Sequence, residues 1–438
     1  MKLRYRILQS RWAKGGEWKN WGFFYETDAD RKGTPVACHH NLDEKPWIVH
    51  DITHCISDRC LTLEHIEAAV EKHSDRYRVL DEIHTYEADG PVSAAVNAIE
   101  ARVLGLEDIR HDAAEKGMCI FSGRANRPLA QAIAHRLGLP LSAISITPLP
   151  DSEVHVQVDE AVRQKNVIVV QPCSAPVNDH LVELLLMIDA FRRASAASIT
   201  AVIPYFPYAR QERMSRGREA ISARVVATML ETVGVSRVIY IDIHAEATQG
   251  FFTVPVDRLQ AFPILSDYFR HKPFLEDAVV VSPDVGRAKL AGRYAQAIGV
   301  PLVVMHKRRE SFREAKATHV VGDVKGKVPI LIDDIMAGGS MLKSVPVLFE
   351  HGARQEVHLA ITHPVLLPTA LEMLDSDWIT EMVVTDTILV PPAKQHPKMR
   401  TVSVAPMLEY AIRGIYHGTS ISPLWDPDAP RKLGFTSG

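Results

Sequence analysis

From Met118 onward the chain alternates short, unbroken apolar runs with longer amphipathic stretches, and that rhythm is the tightest constraint on its fold. The runs are MCIFSG (118–123), NVIVVQP (166–172), SITAVIPYF (198–206), RVIYIDIH (237–244), AVVVSPD (278–284), PLVVMHKRR (301–309), PILIDDI (329–335) and EVHLAITH (356–363). Val/Ile-rich runs without polar alternation are strands buried on both faces. Between them, PLAQAIAHRLG, NDHLVELLLMIDAFRRA and ARVVATMLETVG carry apolar residues at helical spacing. Alternation of this kind gives an α/β fold with parallel sheets, and eight units suffice for two halves. The polar, proline-bearing VPVDRLQAFP marks a boundary near residue 262.

In open α/β sheets, ligands bind beyond the carboxyl ends of the strands. Four of these runs end in chemistry: Asp242 and His244; Asp284; Lys307, Arg308 and Arg309; Asp333 and Asp334. The last pair is followed by Ile335-Met336-Ala337-Gly338-Gly339-Ser340 and then by MLKSVPVLF, read as a helix. Glycines let backbone N–H groups approach a phosphate, and a helix N-terminus adds positive potential. Two adjacent carboxylates can accept hydrogen bonds from vicinal ribose hydroxyls.

Composition narrows the partners. The chain has 438 residues, 46 % hydrophobic and 24 % charged, with a net charge of −3. That balance argues against nucleic acid and against a membrane surface as partner. No apolar run is long enough to span a bilayer, and the start of the sequence lacks the apolar core of a secretory signal. A cytoplasmic location is expected. Five cysteines, an odd number, do not read as a disulfide framework.

Several motifs identify the chain from about residue 117 as similar to the ribose-phosphate diphosphokinase (PRPP synthetase) family. They are Ala-Val-Ile-Pro-Tyr-Phe-Pro-Tyr-Ala-Arg-Gln (201–211), Ile-Asp-Ile-His-Ala (241–245), Gln-Gly-Phe-Phe (249–252) and Pro-Val-Asp (255–257). Lys-Arg-Arg (307–309), Gly-Asp-Val-Lys-Gly (322–326) and Ser-Val-Ala-Pro (403–406) also match, as does the stretch from Gln171-Pro172 to Asn178-Asp179. The resemblance implies an α/β fold of two homologous phosphoribosyltransferase-like (type I) parallel-sheet domains, at 117–261 and 262–397. A segment near 398–425 would pack back on the first. To these is added a small N-terminal extension, 1–116, either α/β or mainly helical. It implies transfer of the β,γ-diphosphate of ATP to the anomeric hydroxyl of ribose 5-phosphate or a related ribosyl phosphate, with Mg²⁺ as cofactor. It also implies a homo-oligomer, a dimer or a higher assembly such as a hexamer.

The resemblance assigns roles by position. His244 and Asp284 match positions that hold Mg²⁺ and the ATP phosphates. Arg210 and Gln211 match nucleotide-binding positions, and Asp151 and Glu153 match an acidic loop reaching the adenosine of the adjacent subunit. Lys307 and Arg309 match mobile-loop cations that stabilise the transition state. Asp333 and Asp334 match the pair holding the acceptor ribose, and Ala337, Gly338, Gly339 and Ser340 its 5′-phosphate loop. The chemistry is consistent, because diphosphoryl transfer is catalysed mainly by alignment and electrostatic stabilisation.

Departures from the family pattern are visible. The phosphate loop retains one hydroxyl, Ser340, where threonines are usual. Leu149 replaces an aromatic residue before the acidic loop, Ser152 replaces a glycine, and Arg287 stands where Ser-Pro-Asp-Val-Gly is usually followed by a second glycine. These changes bear on acceptor identity and nucleotide affinity, and are expected to leave the His244/Asp284 pair and the Lys-Arg-Arg cations untouched. Two other readings stay open: a weakly active or inactive regulatory or scaffolding subunit, and a transferase that consumes PRPP.

The first 116 residues have a different texture. LTLEHIEAAVEKH and VSAAVNAIEARVLGL read as helices. Cys38, His39, His40, His50, His54, Cys55 and Cys60 lie close in sequence but lack paired CxxC spacing, so a zinc site and an ordinary Cys/His cluster are both compatible. Trp18, Trp21, Phe23, Phe24 and Tyr25 suit an interface or a small core.

Overall fold

The computed structural model divides into two compact units, residues 1–115 and 116–438. Its described backbone comprises residues 2–10, 19–27, 35–40, 77–79, 84–87, 117–309 and 315–434, and its described side chains those of 117–306 and 319–434.

In the first unit, strands β1 (Lys2–Ser10), β2 (Lys19–Thr27), β3 (Pro35–His40), β4 (Tyr77–Val79) and β5 (His84–Glu87) form one antiparallel sheet. Tyr5 of β1 pairs with Tyr25 of β2 and with His84 of β5, so β2 takes one edge of β1 while β5 and β4 share the other. The alternation of Leu3, Tyr5 and Ile7 with Arg4 and Arg6 is the period-two signal of such a strand. Cys38, His39 and His40 belong to β3, opposite Phe24, Phe23 and Gly22. The two helices read at 61–73 and 92–106, and His50, His54, Cys55 and Cys60, lie outside the described residues.

In the second unit all eight apolar runs are strands. Five parallel strands make the first sheet, in the order β12-β11-β10-β9-β6. They are β6 (Met118–Ser122), β9 (Asn166–Val170), β10 (Ser198–Ile203), β11 (Arg237–Ile241) and β12 (Val256–Leu259). Helices α1 (Arg127–Arg136), α2 (Val177–Arg193) and α3 (Ser222–Val233) connect them, and β7 (Ile144–Pro148) and β8 (Val154–Val158) form a separate hairpin. Asn126 caps α1 by accepting the Leu129 N–H at 3.2 Å. Gly234 ends α3 in the left-handed region at φ 109°, a conformation that costs glycine least.

The second sheet has seven strands, ordered β15-β14-β13-β16-β17-β18-β19. They are β13 (Ala278–Ser282), β14 (Leu302–Arg309), β15 (Ala315–Val321), β16 (Val328–Met336), β17 (Val357–Pro364), β18 (Ile379–Thr385) and β19 (Met399–Val402). Only β15 runs antiparallel to its neighbour, β14. Helices α4 (Phe262–Phe269), α5 (Ala288–Ile298), α6 (Val345–Glu350) and α7 (Pro368–Leu374) accompany this sheet, whereas α8 (Ala405–His417) packs against α1. Arg413 on α8 donates to the Arg136 carbonyl at 3.3 Å, and Asn126 donates to the Asp386 carbonyl at 2.7 Å. Each sheet carries its own buried core, centred on Phe121, Val169 and Tyr240 in the first and on Val281, Leu331 and Leu359 in the second. No described helix is long and apolar enough to cross a membrane.

The polar stretch read as a boundary contains β12, an edge strand of the first sheet. Edge strands tolerate polar side chains because one side of the ladder faces solvent.

Candidate active site

The two sheets meet through the carboxyl ends of β11 and β17. His363 is fully enclosed, and its Nε2 lies 3.1 Å from the Ile241 carbonyl and 3.3 Å from that of Asp242. Carbonyls only accept, so Nε2 carries the proton and Nδ1 accepts from the Thr387 hydroxyl at 2.9 Å. Burial pushes the imidazole pKa down to about 4, against the opposing charge of Asp334, and the ring is neutral. Next to it Thr362 donates to Asp242 Oδ2 at 2.6 Å, and the Ala261 N–H donates to the same oxygen at 3.1 Å. Burial raises the Asp242 carboxyl to about 6 despite those bonds. Asp242 itself sits at φ 39°, a left-handed turn that redirects the chain out of β11 toward His244.

Beyond this joint, four charged or ionisable side chains converge. His244 Nδ1 is 2.8 Å from Asp334 Oδ2. Arg287 Nη2 is 2.7 Å from the same oxygen and 2.6 Å from His244 Nδ1, and its Nε is 3.4 Å from Asp333 Oδ1. Burial disfavours charge on both carboxyls. At Asp334 the His244 hydrogen bond and the Arg287 charge overcome it and hold the group well below the usual carboxylate range. At Asp333 burial is reinforced by the neighbouring Asp334, and the group is pushed well above that range. Asp284 opens the turn Val285–Arg287, its Oδ1 accepting the Arg287 N–H at 3.1 Å. A cavity of about 210 Å³ opens beside this cluster, lined by His244, Arg258, Arg287, Lys289, Arg293 and Asp334.

Ala337 to Ser340 follow β16 directly. Gly339 adopts φ 72°, and a Cβ there would stand 3.0 Å from Met373 Sδ and 3.3 Å from the Ala370 Cα. The loop is therefore shaped against α7, whose Thr369 hydroxyl donates to the Gly338 carbonyl at 3.3 Å. That hydroxyl lies beside a loop whose own sequence keeps only Ser340. The expected helix start is displaced: Leu342–Ser344 form a 3-10 turn and α6 begins at Val345. Pro346 has no N–H to offer the Leu342 carbonyl, so the α ladder cannot run back to the loop.

Arg210 and Gln211 line a different pocket of about 400 Å³, with Asn178, Asp179, Tyr205 and Ile335. Ile335 is the residue after Asp334, and the Tyr205 ring stands 5.1 Å from that of His363, so this pocket adjoins the charged cluster. Asp151 and Glu153 are exposed at the tip of the β7–β8 hairpin, where Asp151 Oδ1 accepts the Glu153 N–H at 3.2 Å. Lys307 and Arg309 occupy the end of β14, opposite Ala317 and Ala315 of β15. Their side chains lie outside the described residues.

Residues 118–234 match the family profile of the N-terminal domain of ribose phosphate pyrophosphokinase, and residues 311–426 that of the phosphoribosyl synthetase-associated domain. Similar proteins include the ribose-phosphate pyrophosphokinases of Caldanaerobacter subterraneus and Bacillus caldolyticus. Each is 44 % identical, over 70 % of this chain and 97 % of its own length. The chain belongs to the ribose-phosphate pyrophosphokinase family. The chloroplastic ribose-phosphate pyrophosphokinase 2 of Oryza sativa is 41 % identical over 75 % of this chain and 82 % of its own. The crystal structure of phosphoribosylpyrophosphate synthetase from Mycobacterium smegmatis superposes with a TM-score of 0.65 at 40 % identity, covering 69 % of this chain and all of that one.

Within this family frame, one expectation fails. The departure at Arg287 was expected to leave the His244/Asp284 pair untouched. Instead its guanidinium contacts His244 and its backbone N–H is held by Asp284. The reason is the 3-10 turn after Asp284, which aims the third residue back at the ends of β11 and β16. Thr362, His363 and Tyr205 join the site without having been singled out by spacing or motif. The Ala-Ile-Thr-His end of β17 had the same polar-terminus signature as the four runs that were read as chemical.

Proposed function

We propose that this ribose-phosphate pyrophosphokinase homologue transfers the β,γ-diphosphate of ATP to the anomeric hydroxyl of ribose 5-phosphate, forming PRPP and releasing AMP. The observation that carries the reading is the convergence of Asp333-Asp334, His244 and the Asp284 turn beside the loop 337–340. The two carboxyls suit the vicinal hydroxyls of the acceptor ribose. Asp334 is pushed toward its charged form by His244 and Arg287 and Asp333 toward its neutral form by burial and Asp334, a pairing that suits hydroxyls able both to donate and to accept. The loop from Ala337 to Ser340 offers backbone N–H groups to the 5-phosphate. The pocket at Arg210 and Gln211 suits the nucleotide, and Arg fits phosphate or base acceptors with paired donors.

Mg²⁺ fits the donor set. Among the described residues no three His, Cys, Asp or Glu side chains are gathered to hold an ion. Mg²⁺ needs only one or two protein ligands, taking the rest from water and phosphate oxygens. His244 and Asp284 would hold it, and it would neutralise charge on the transferred phosphates. The cations at Lys307 and Arg309 would face the charge that develops on the leaving oxygens.

The hairpin tip at Asp151 and Glu153 projects into solvent, which supports a role at the nucleotide of a neighbouring subunit. Exposed Val182 and Leu186 on α2 and Val225 on α3 support an oligomeric contact. Helix α8 against α1 supports assignment of the segment near 398–425 to the first parallel-sheet domain.

AMP release from Mg-ATP, measured with ribose 5-phosphate and with other sugar phosphates, tests the reading. Turnover with ribose 5-phosphate and its loss in Asp334→Asn are expected. An absence of AMP with every acceptor would overturn it.

A further inference from the structure

Two side-chain amides line the pocket of about 400 Å³ beyond the ends of β9 and β10: Asn178, at the start of α2, and Gln211, between β10 and α3. Each has its oxygen taken by a hydroxyl. The Tyr208 phenol donates to Asn178 Oδ1, and the Ser222 hydroxyl donates to Gln211 Oε1 at 2.7 Å. An amide carries an acceptor oxygen at one end and an NH2 with two donor protons at the other. Fixing the oxygen therefore fixes the donor. Among the described residues neither Asn178 Nδ2 nor Gln211 Nε2 has a partner, and both remain for a ligand.

The two hydroxyls are themselves held. Tyr208 adopts φ 56°, a left-handed conformation unfavourable to a residue with a Cβ. Its carbonyl accepts the Gln211 N–H at 2.9 Å, and its ring packs on the core of the first parallel sheet. Strain of this kind persists where the surroundings over-determine a conformation that function uses. Ser222 opens α3, and the next N–H, that of Ala223, donates to the Gln211 carbonyl at 3.3 Å. Gln211 is thus tied through its N–H to Tyr208, and through its carbonyl and its Oε1 to the start of α3. The other polar lining groups are the Arg210 guanidinium, which only donates, the Tyr205 phenol and one carboxylate, Asp179. The pocket presents fixed donors around a single strong acceptor.

We propose that Tyr208 and Ser222 are positioning residues that lock these two amides with their donors toward the ligand, and so make the pocket selective for an adenine over a 6-oxopurine nucleotide. The inference rests on the reading of this pocket as the nucleotide site. The ring nitrogens N1, N3 and N7 of adenine are bare acceptors that match the locked NH2 groups, and its 6-amino group is a donor for which Asp179 is the acceptor. Hypoxanthine and guanine carry a proton on N1 and an oxygen at C6. The same lock then sets donor against donor, and Asp179 faces an oxygen. Mismatched polar groups of this kind discriminate more strongly than a difference in shape. An amide free to turn over could offer its oxygen to the N1 proton. Each hydroxyl opposes that turn, which would exchange the hydrogen bond it donates for one it accepts and leave its own proton unused.

Equilibrium binding of Mg-ATP and of Mg-ITP to the full-length protein, read by titration calorimetry without an acceptor sugar, tests the proposal. ITP carries hypoxanthine in place of adenine and is otherwise identical. The wild type is expected to bind ATP at least about tenfold more tightly than ITP. Tyr208→Phe and Ser222→Ala, checked for fold by circular dichroism, are each expected to weaken ATP by about fivefold while leaving ITP unchanged or tighter. Ser222→Thr keeps the hydroxyl and is expected to keep the wild-type ratio. A merely structural loss would weaken both nucleotides together and leave the ratio where it was. A wild-type ratio retained in both folded Tyr208→Phe and Ser222→Ala overturns the inference, even where Arg210→Ala loses ATP and so leaves the pocket as the nucleotide site. So does a wild type that binds the two nucleotides alike. Full ATP affinity in Arg210→Ala, or no ATP binding by the wild type, overturns the reading and the inference together.

Discussion

Thr362 donates a 2.6 Å hydrogen bond to the carboxylate of Asp242, and through it the end of β17 holds the turn that carries His244. Thr362→Val leaves a buried acceptor oxygen with only the Ala261 N–H. The expected cost is about 1–3 kcal/mol in urea unfolding, with Thr362→Ser close to wild type. A valine variant as stable as the parent would show that the joint is held elsewhere.

His363 sets a pH dependence whose sign is fixed by its environment. Its folded pKa of about 4 lies below the unfolded value, so the native state binds fewer protons between them. Its contribution is intact above about pH 6.5 and is lost as pH falls toward 4, at most about 1.4 kcal/mol per pH unit. His363→Gln keeps a donor for the carbonyls and removes the titration. Unfolding curves across that window are expected to show a shallower acid slope, and an unchanged slope would assign the dependence to other groups.

Gly339 links loop geometry to acceptor binding. Its φ of 72° and the 3.0 Å approach to Met373 leave little room for a side chain. Gly339→Ala is expected to cost about 1–2 kcal/mol in stability. It should also raise the KM for ribose 5-phosphate by about tenfold or more while leaving that for ATP nearly unchanged. Equal effects on both substrates would detach this loop from the acceptor.

Ser152 occupies a left-handed position at φ 73° in the β7–β8 hairpin, with its N–H bonded to the Leu149 carbonyl at 3.0 Å. Glycine adopts that conformation without steric cost. Ser152→Gly is therefore expected to stabilise by about 0.5–1 kcal/mol, seen as a small rise in Tm. A fall in Tm would mean that the hydroxyl contributes more than the strain removes.

The sheets were legible because buried parallel strands write themselves as continuous Val/Ile runs, and each of the eight became a strand. The edges were not. β12 and β19 are polar on their open sides, and the β7–β8 hairpin reads as a loop around Pro150. At the site, Asp333, Asp334, His244 and Asp284 stood out as polar strand ends. Arg287 did not, because its importance comes from the direction of one turn. Linear spacing carries no information about where a residue three positions after Asp284 will aim. His363 escaped for a related reason: a histidine at the end of an apolar run has the same appearance whether it meets solvent or a second sheet.

The packing of α8 on α1 has a bearing on how the chain acquires its shape. The first parallel sheet is complete in sequence once Leu259 has been made, yet α1 waits for a helix that begins at Ala405. During synthesis the nascent first sheet keeps an open apolar flank across the whole interval in which the second sheet is translated. Contacts of such long sequence separation form late and slowly. A premature stop between residues 262 and 404 would release a largely built but sticky intermediate, a natural substrate for chaperones and proteases.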